Sequence, residues 1–505
     1  MSLNGNLAAQ IEAAFARDAS VPLFELASGG IVTRAALLEQ ADRMAGALAA
    51  AGIKPGDRVT VQAEKSVAFV ALYLAVLRIG AVFHPLNTAF TPAEVAFFIG
   101  DAEPSAFIAG AARLGEMAGG GGITARFSLE ADGSGSLAST AGSAAGFGEA
   151  VLRAPHDMAA LLYTSGTTGR AKGAMITHGN LSSNAQTLIQ FWEFAAGETL
   201  IHALPVYHVH GLFVALNTAL LGGLKMLWME KFDARAVLAA FGKAQVMMGV
   251  PTFYTRLLAE PGLTREACAG IRLFVSGSAP LLNETFTSFQ QRTGHAILER
   301  YGMTETGMNT SNPYRGERLA GTVGYALPGI SLRVTGGAGH ELPRGETGDV
   351  EVKGPNVFSG YWRLPEKTRE EFRADSYFIT GDQGAMAADG RLTLVGRAKD
   401  LIITGGLNVY PIEIEQALNA MPGIEESAVI GVPHTDFGEA VVAVVVTAGP
   451  GAKVAAEADI ISELSRTLAK FKCPKRVMVL DELPRNSMGK VSKALLRERF
   501  KGLLA

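Results

Sequence analysis

Residues 163–173 read YTSGTTGRAKG, a segment that contains three glycines, one serine, three threonines and Lys172. It follows the apolar run Ala159–Tyr163, which predicts that the segment leaves the end of a buried strand. Small residues allow backbone N–H groups to turn toward a phosphate, hydroxyls add donors, and the lysine adds positive charge. We therefore predict a phosphate-binding loop, although the segment lacks the GxxxxGK[ST] spacing of a Walker A motif.

Around this segment, short apolar runs alternate with helical patterns through most of the chain. Thr33 is the predicted N-cap of a helix that stops near Gly52, and Ser66–Ile79 is a predicted buried helix. Strands separated by helices favour parallel-rich sheets, whose ligands bind beyond the carboxyl ends of the strands. The predicted strands are Asp57–Ala63, Ala159–Tyr163, Leu200–Leu204, Lys225–Trp228, Val246–Val250, Arg272–Val275 and Ala296–Leu298.

The pattern changes after Gly396, where we expect a smaller domain. We predict an α/β fold with a large N-terminal domain, residues 1–398, of parallel-rich sheets with helices, and a small, mobile α+β C-terminal domain, residues 399–505. The Gly-, Ser- and Ala-rich stretches Gly119–Gly122 and Asp132–Gly148 are predicted surface loops. The small domain should contain strands Lys399–Leu407, Ser427–Val432 and Ala440–Val446, and helices Pro411–Ala420 and Asp459–Ala469.

Composition excludes several classes of protein. The 505 residues include 45 basic and 48 acidic residues, a formal net charge of −3, which argues against binding nucleic acid or a membrane surface by charge. Cys268 and Cys473 allow one disulfide at most, and no CxxC or Cys/His cluster indicates structural zinc. The N-terminus lacks the pattern of a signal peptide, and the most apolar stretches, Ala68–Leu77 and Leu212–Met229, are predicted core elements. We expect a cytoplasmic protein.

Three further motifs place charged residues beside glycines. In RYGMTET, residues 300–306, the carboxylate of Glu305 can hold Mg²⁺ against a nucleotide phosphate. Asp382 in TGD, residues 380–382, can accept both hydroxyls of a ribose, and Arg397, followed closely by the glycine pair of GGLNVYP, can reach a ribose or phosphate oxygen. PRNSMGK, residues 484–490, ends in Lys490. Each of these motifs alone is also typical of an exposed turn or a helix start.

In this order and spacing the four motifs resemble those of the adenylate-forming superfamily, which includes acyl-CoA synthetases, luciferases and the adenylation domains of nonribosomal peptide synthetases. The resemblance covers nearly the whole chain. It implies an enzyme that uses ATP, Mg²⁺ and CoA. A carboxylate attacks the α-phosphate of ATP, giving an acyl-adenylate and pyrophosphate; the small domain then rotates, and the CoA thiol takes the acyl group.

The resemblance also implies roles for the residues that match the family motifs. Lys490 would bridge carboxylate and phosphate during adenylation, and acetylation by an acetyltransferase would remove its charge. Lys399 would be the hinge, at a position where many relatives carry Asp. The implied catalytic residues are Lys490, Thr304, Glu305 and His208; the ATP site is Thr164, Ser165, Gly166, Thr167, Thr168, Lys172, Tyr301, Thr304, Asp382, Arg397 and Lys490; the metal ligands are Glu305 and Thr164; and the CoA site is Gly405, Gly406 and Lys472.

Two segments indicate the acid. LPVYHVHG, residues 204–211, matches the family segment that carries an aromatic or histidine residue beside the acyl pocket; His208 takes that position and His210 lies nearby. Arg300 immediately precedes the YGMTE motif, where many relatives have a neutral residue. A buried guanidinium without an anion is costly by about several kcal/mol. Glu299 is expected to face the other way, because neighbours alternate along a strand.

We therefore expect a substrate carboxylate on Arg300, with Ser276 or Ser278 adding a hydroxyl donor. In this combination the chain closely resembles bacterial malonyl-CoA synthetases, which implies malonate as the substrate and methylmalonate as a second one. The alternatives are a ligase for oxalate, a short monocarboxylate or an aryl acid, a stand-alone adenylation domain that loads a carrier protein, and a nucleotide-binding protein without catalysis. Retention of Glu305 and Lys490 argues against the last.

Overall fold

The computed structural model describes residues 4–16, 18–117, 122–164, 171–404, 407–435, 437–449, 455–485 and 490–504. The chain divides into two compact units. The first unit consists of Met1–Leu332 and Val352–Phe378, and the second of Arg333–Glu351 and Ile379–Ala505. The predicted α/β class, with a large sheet-rich N-terminal part and a smaller C-terminal part, is confirmed.

The first unit contains two largely parallel sheets. One has nine strands in the order β15-β14-β13-β12-β11-β9-β10-β1-β2, and the other has six in the order β6-β5-β3-β4-β7-β8. The strands are β1 Pro22–Leu26, β2 Ile31–Thr33, β3 Arg58–Gln62, β4 Val82–Pro85, β5 Ala106–Ala109, β6 Ala125–Ser128, β7 Met158–Thr164, β8 Lys172–Thr177, β9 Thr199–His202, β10 Lys225–Trp228, β11 Val246–Gly249, β12 Leu273–Ser276, β13 Leu298–Met303, β14 Gly307–Ser311 and β15 Tyr325–Ala326.

Helices cover these sheets. They are α1 Leu7–Phe15, α2 Arg34–Ala50, α3 Val67–Arg78, α4 Pro92–Ala102, α5 Ala111–Glu116, α6 Ser136–Ser143, α7 His178–Phe191, α8 Asn217–Gly222, α9 Ala234–Ala240, α10 Pro251–Leu258, α11 Asn283–Thr293 and α12 Pro365–Glu370, with a π-helical segment at His210–Leu216 and a 3₁₀ turn at Phe241–Lys243. Thr33 caps α2 as predicted, since its hydroxyl accepts from the N–H of Ala36 at 3.2 Å. Helix α3 is buried on all faces, which explains its unbroken apolar sequence.

The second unit contains two smaller sheets. One has the order β16-β17-β18-β19, and the other has β21-β20-β23-β22 with β24 beside β23. Its elements are β16 Ser331–Thr335, β17 Thr347–Lys353, β18 Phe378–Met386, β19 Leu392–Arg397, β20 Ile402–Thr404, β21 Leu407–Val409, β22 Ile424–His434, β23 Gly438–Thr447, β24 Arg476–Leu480, α13 Pro411–Asn419, α14 Glu457–Thr467 and α15 Lys493–Phe500.

Several predicted elements differ from the structure. Helix α6 lies inside Asp132–Gly148, so the prediction of a loop there is wrong; buried Leu137 and Ala141 anchor this helix. The predicted strand Ala296–Leu298 begins instead at Leu298 and continues to Met303, because β13 pairs antiparallel with β14. The predicted strand Lys399–Leu407 is a 3₁₀ turn followed by the hairpin strands β20 and β21. Most of the predicted loop Gly119–Gly122 lies outside the described residues.

Four further expectations concern the possible disulfide, the domain boundary, the hinge and membrane-spanning helices. Cys268 and Cys473 are both buried free thiols, so the one possible disulfide is not formed. Strands β18 and β19 group with the second unit, although they precede residue 399 in the chain. A hinge at Lys399 describes a movement and stays a prediction. Among the described residues, no helix is long and apolar enough to cross a membrane.

Candidate active site

Arg300 lies in the middle of strand β13 and is buried, with 3% of its surface exposed. Its Nε and Nη2 atoms have no hydrogen-bond partner among the residues that the structure describes. Burial lowers the pKa of the Arg300 guanidinium to about 9, while nearby Tyr254 and Glu299 oppose this shift. A buried cation whose donors lack protein acceptors is the feature expected of an anion site.

The neighbouring residue Glu299 does not accept a hydrogen bond from the guanidinium of Arg300. One carboxylate oxygen of Glu299 accepts from the N–H of Leu281 at 3.1 Å, and within the described part of the chain its other oxygen, Oε2, has no partner. Burial raises the pKa of Glu299 to about 7. The described residues include no ion pair between Glu299 and Arg300, in agreement with the expected alternation along the strand.

His210 and Ser278 lie together beside this strand. The Oγ of Ser278 lies 3.2 Å from Nδ1 of His210, and Nε2 of His210 is buried with no partner in the described ranges. Burial lowers the pKa of His210 well below its ordinary value, and the positive charge of Arg300 adds to this effect. His210 is therefore a neutral imidazole at physiological pH. Ser278 has a positive φ of 72°, a strained conformation that often marks a functional site.

His208 and Ser276 complete the predicted acyl-pocket residues. His208 is half-buried, and its Nδ1 accepts from the N–H of His210 at 3.4 Å. Ser276 ends strand β12 opposite Glu299, fully buried, and its hydroxyl has no partner among the described residues. The structure thus places unpartnered polar atoms of Ser276, His210 and Arg300 in the same part of the first unit.

A second polar cluster surrounds Glu305. The hydroxyl of Thr164 donates to Oε1 of Glu305 at 3.2 Å, and the hydroxyl of Tyr361 lies 3.1 Å from the same oxygen and 2.7 Å from Oε2 of Glu371. Lys172 forms an ion pair with Glu371 at 2.7 Å and lies 4.0 Å from the centre of the Tyr361 ring. Thr164 and Lys172, which lie at the two ends of the predicted phosphate loop, are therefore connected through Glu305, Tyr361 and Glu371.

Sequence reasoning missed Tyr361 and Glu371. Their spacing in GYWRLPEKTREE, residues 360–371, carries no recognised chemical pattern, and only folding brings them to Lys172 and Glu305.

The predicted loop residues Ser165, Gly166, Thr167 and Thr168 lie outside the described residues. Tyr301 is buried in β13.

Thr304 borders a small cavity of about 20 Å³ in the first unit, which has room for about one water molecule. Its other lining residues are mainly apolar or amide side chains, of which Asn180, Leu181 and Asn184 belong to α7 and Phe213 to the π-helical segment.

The predicted ribose residues lie in the second unit. Asp382 and Arg397 are directly opposite each other on the antiparallel strands β18 and β19, and Nε of Arg397 lies 2.7 Å from Oδ1 of Asp382. Asp382 is buried, whereas the Arg397 side chain is 42% exposed. The partly exposed Arg397 thus holds the Asp382 carboxylate in place, and this carboxylate can accept hydrogen bonds from hydroxyl groups.

The remaining predicted residues of the second unit differ in their surroundings. Lys399 lies in the 3₁₀ turn Ala398–Asp400 and is exposed, although partial desolvation by its neighbours lowers its pKa. Lys472, predicted for CoA, forms an ion pair with Glu413. Lys490 is exposed. Gly405 and Gly406 lie outside the described residues.

In the ranges that the structure describes, no group of three or more His, Cys, Asp or Glu side chains could hold a metal ion by itself. Mg²⁺ commonly takes one or two carboxylates together with phosphate oxygens and water. Glu305, with hydroxyls of Thr164 and Tyr361 on one oxygen, is a buried carboxylate of the required type.

A parallel α/β unit with a buried carboxylate beside the end of a Gly-, Ser- and Thr-rich segment, joined to a smaller α+β unit, defines a two-part nucleotide-using enzyme. Residues 12–362 match the family described as AMP-binding enzyme, and residues 413–490 match the AMP-binding enzyme C-terminal domain. The chain belongs to the AMP-binding enzyme family.

The similar proteins include several CoA ligases. The crystal structure of ATP-bound MatB from Rhodopseudomonas palustris matches with a TM-score of 0.97 and 51% identity, and the match covers 100% of both chains. The malonate–CoA ligase of Arabidopsis thaliana is 36% identical over 371 residues, which are 68% of this chain and 60% of that ligase. A feruloyl-CoA synthase from an Amycolatopsis species is 35% identical over 485 residues, 94% of each chain. The chain thus spans less than two thirds of the plant ligase.

Proposed function

We propose that this protein activates malonate with ATP and transfers the malonyl group to CoA, with methylmalonate as a second substrate. One malonate carboxylate oxygen attacks the α-phosphate, the bond to the β-phosphate breaks, and pyrophosphate leaves. The CoA sulfur, having lost its proton, then attacks the acyl carbonyl, and AMP leaves. Similarity to MatB and to a malonate–CoA ligase supports the ligase class, and Arg300 supports the dicarboxylate.

The observation that carries the choice of acid is the buried guanidinium of Arg300, whose Nε and Nη2 lack partners in the described part of the chain. The second carboxylate of malonate supplies acceptors for both Nε and Nη2 of Arg300. Each charge-assisted hydrogen bond contributes about 1.5–3 kcal/mol. A monocarboxylate leaves the cation buried and unpaired, so the same residue that favours malonate disfavours butyrate.

His210 supplies a further donor. When the hydroxyl of Ser278 donates a hydrogen bond to Nδ1 of His210, the single proton of the neutral ring lies on Nε2. This Nε2 is the buried atom that has no partner among the described residues. This Nε2–H can donate to the carboxylate that Arg300 holds. The two carboxylates of malonate, a three-carbon diacid, lie closer together than those of succinate. The methyl branch of methylmalonate at C2 requires only additional space beside that carbon.

Each unit contains residues that the family motifs assign to the nucleotide. Thr164, Lys172 and Thr304 are suited to its phosphates, and Asp382 with Arg397 to its ribose. Glu305, with Thr164, would hold Mg²⁺, which neutralises phosphate charge in the transition state. Lys490 would place positive charge between carboxylate and α-phosphate, and His208 would lie beside the acyl group. Gly405, Gly406 and Lys472 remain assigned to CoA, although Lys472 must first leave Glu413.

The test is pyrophosphate release from malonate, methylmalonate, succinate and butyrate by wild type and Arg300→Ala. Malonate should lose at least about a hundredfold in kcat/KM, because every 1.4 kcal/mol is about tenfold, whereas butyrate should be unchanged or improved. Arg300→Lys should rescue only in part, since an ammonium lacks the planar fork. Arg292→Ala is the control, because Arg292 donates to three backbone carbonyls and serves only the fold.

Equal loss of malonate and butyrate activity in Arg300→Ala would make Arg300 structural and reject the dicarboxylate substrate. The second candidate is then a ligase for a monocarboxylate or aryl acid. The similarity to a feruloyl-CoA synthase over 94% of both chains favours this candidate over the others. Acyl-CoA formation from ferulate and butyrate by the wild type would identify it.

A further inference from the structure

Lys65 is a buried lysine that the proposed reaction does not use. It follows strand β3, and its Nζ contacts three groups of the nine-stranded sheet: Nδ1 of His202 at 3.0 Å, the carbonyl oxygen of His202 at 2.8 Å and that of Met229 at 2.5 Å. The Nζ also lies 4.3 Å from the centre of the Trp228 ring. Lys65 therefore connects the end of one sheet to the ends of β9 and β10 in the other.

The hydrogen bonds determine the protonation of both side chains. Nε2 of His202 lies 2.9 Å from the carbonyl oxygen of Gly211, so this nitrogen must carry a proton. The His202 ring is neutral, because burial and the positive charge of Lys65 lower its pKa well below the ordinary value. Nδ1 is therefore an acceptor. Burial lowers the pKa of the Lys65 amino group well below its ordinary value. The three acceptors that face Nζ oppose this shift, because they match the three donors of an ammonium group.

The contact at Gly211 connects this pair to the acyl pocket. Gly211 directly follows His210 at the start of the π-helical segment His210–Leu216. A Cβ on Gly211 would lie 1.9 Å from the carbonyl oxygen of Pro205, so the turn that carries His208 and His210 is closely packed. The carbonyl oxygen of Gly211 lies 2.9 Å from Nε2 of His202, so this ring contacts the backbone of the π-helical segment directly. Such π-helical turns are common at functional sites.

We infer that Lys65 is a positioning residue, which holds the His202 ring so that His202 orients the turn of Gly211 and thereby sets His210 beside Arg300. This inference rests on the proposed function, since it assigns His210 to the dicarboxylate. Lys65 touches neither substrate nor nucleotide. Its loss should alter which acid is accepted while leaving the nucleotide cluster around Glu305 intact.

The first experiment compares Lys65→Met with the control Lys225→Met. Lys225 begins strand β10, is also partly buried and forms an ion pair with Glu25 at 3.0 Å, away from His210. Lys65→Met should lower the ratio of kcat/KM for malonate to that for butyrate by about tenfold or more, with the KM for ATP changed less than about twofold. Lys225→Met should leave both quantities unchanged. An unchanged ratio in Lys65→Met overturns the inference.

A double-mutant cycle tests the route through His202. If Lys65 acts through this ring, Lys65→Met should cause little further loss of selectivity in protein that already carries His202→Phe. Full additivity of the two losses contradicts the inference. If Lys65→Met does not fold, Lys65→Gln carries the same tests, because it removes the charge but keeps a donor.

Nitrogen-15 NMR of the histidine rings separates this inference from the substrate assignment. The wild-type spectrum should show His202 with its proton on Nε2, and the signals of both His202 and His210 should shift in Lys65→Met. Unchanged His210 signals reject the positioning role whichever acid is the substrate. A wild type that shows no preference for malonate over butyrate rejects the proposed function, while the NMR result still decides the role of Lys65.

Discussion

The guanidinium of Arg300 crosses directly over the backbone of Gly277. A Cβ added to Gly277 would lie 2.3 Å from Cζ of Arg300, 2.4 Å from Nη1 and 2.7 Å from Nε. Contacts this short with a side-chain atom force one of the two groups to move. The absence of a side chain at Gly277, at the end of strand β12, is therefore what allows Arg300 to occupy its present position.

Gly277→Ala should displace Arg300 without straining the backbone, because no left-handed conformation is required at this position. We expect kcat/KM for malonate to fall at least about tenfold, which corresponds to about 1.4 kcal/mol, and butyrate to lose much less. Pyrophosphate release with both acids measures this. Gly100→Ala is the control, since a Cβ there meets nothing within 4 Å. A loss of the same size for both acids would show that Gly277 serves stability instead of selectivity.

Glu299 should make stability depend on pH. Its folded-state pKa is raised from 4.5 to about 7, so the folded protein binds this proton more tightly than the unfolded chain. The resulting contribution of Glu299 to the free energy of unfolding is at most about 3 kcal/mol. It is fully present below about pH 4.5 and is lost as the pH rises through about 7. Glu299→Gln keeps an acceptor for Leu281 and removes the titration.

Urea unfolding of wild type and Glu299→Gln between pH 5 and pH 8, at steps chosen around the expected value of about 7, measures this effect. Tryptophan fluorescence is the suitable signal, because Trp192, Trp228 and Trp362 all belong to the first unit. The stability of the wild type relative to the variant should fall as the pH rises. A difference that does not vary with pH would mean that Glu299 is ionised in the folded protein throughout.

Lys490 should act in the first half-reaction and not in the second. Lys490→Ala should reduce pyrophosphate formation by about a hundredfold or more, because a positioned charge in a dry site contributes about 3–4 kcal/mol. Supplied malonyl-adenylate should still react with CoA at the wild-type rate. Lys501→Ala, which removes an exposed lysine of the same unit, is the control. Equal loss in both half-reactions would contradict a role of Lys490 that is confined to the first.

Lys399→Pro should obstruct thioester formation but spare adenylation. Proline fixes φ and removes the backbone N–H, so the turn Ala398–Asp400 could no longer change conformation freely. Separate assays of pyrophosphate release and of malonyl-CoA formation from supplied adenylate distinguish the steps. Lys399→Ala is the matched control, because it removes the same side chain without restricting φ. Equal loss in both steps, or no loss, in Lys399→Pro would mean that residue 399 is not the hinge. The same loss of thioester formation in Lys399→Ala would assign the effect to the side chain.

Part of this architecture follows from local sequence. The cap at Thr33, the buried helix α3 and most of the strands predicted for the first unit lie within a few residues of their predicted places, because capping and apolar periodicity are local properties. Short elements were harder to predict. Helix α6 is rich in Ala, Ser and Gly and is held by two buried side chains, so tertiary packing overrides its loop-like composition.

The sequence by itself determined the enzyme family, the segment of residues 163–173, and the candidates Glu305 and Arg300, because these depend on residue type and order along the chain. Only the tertiary structure decided which polar atoms are left without protein partners. Arg300 is buried where Gly277 leaves room for it, and it is not paired with Glu299. The contacts that lead from Lys65 through His202 toward His210 connect two sheets. Such contacts join residues far apart in the chain, so no local pattern encodes them; packing alone sets their distances and the electrostatic consequences of burial.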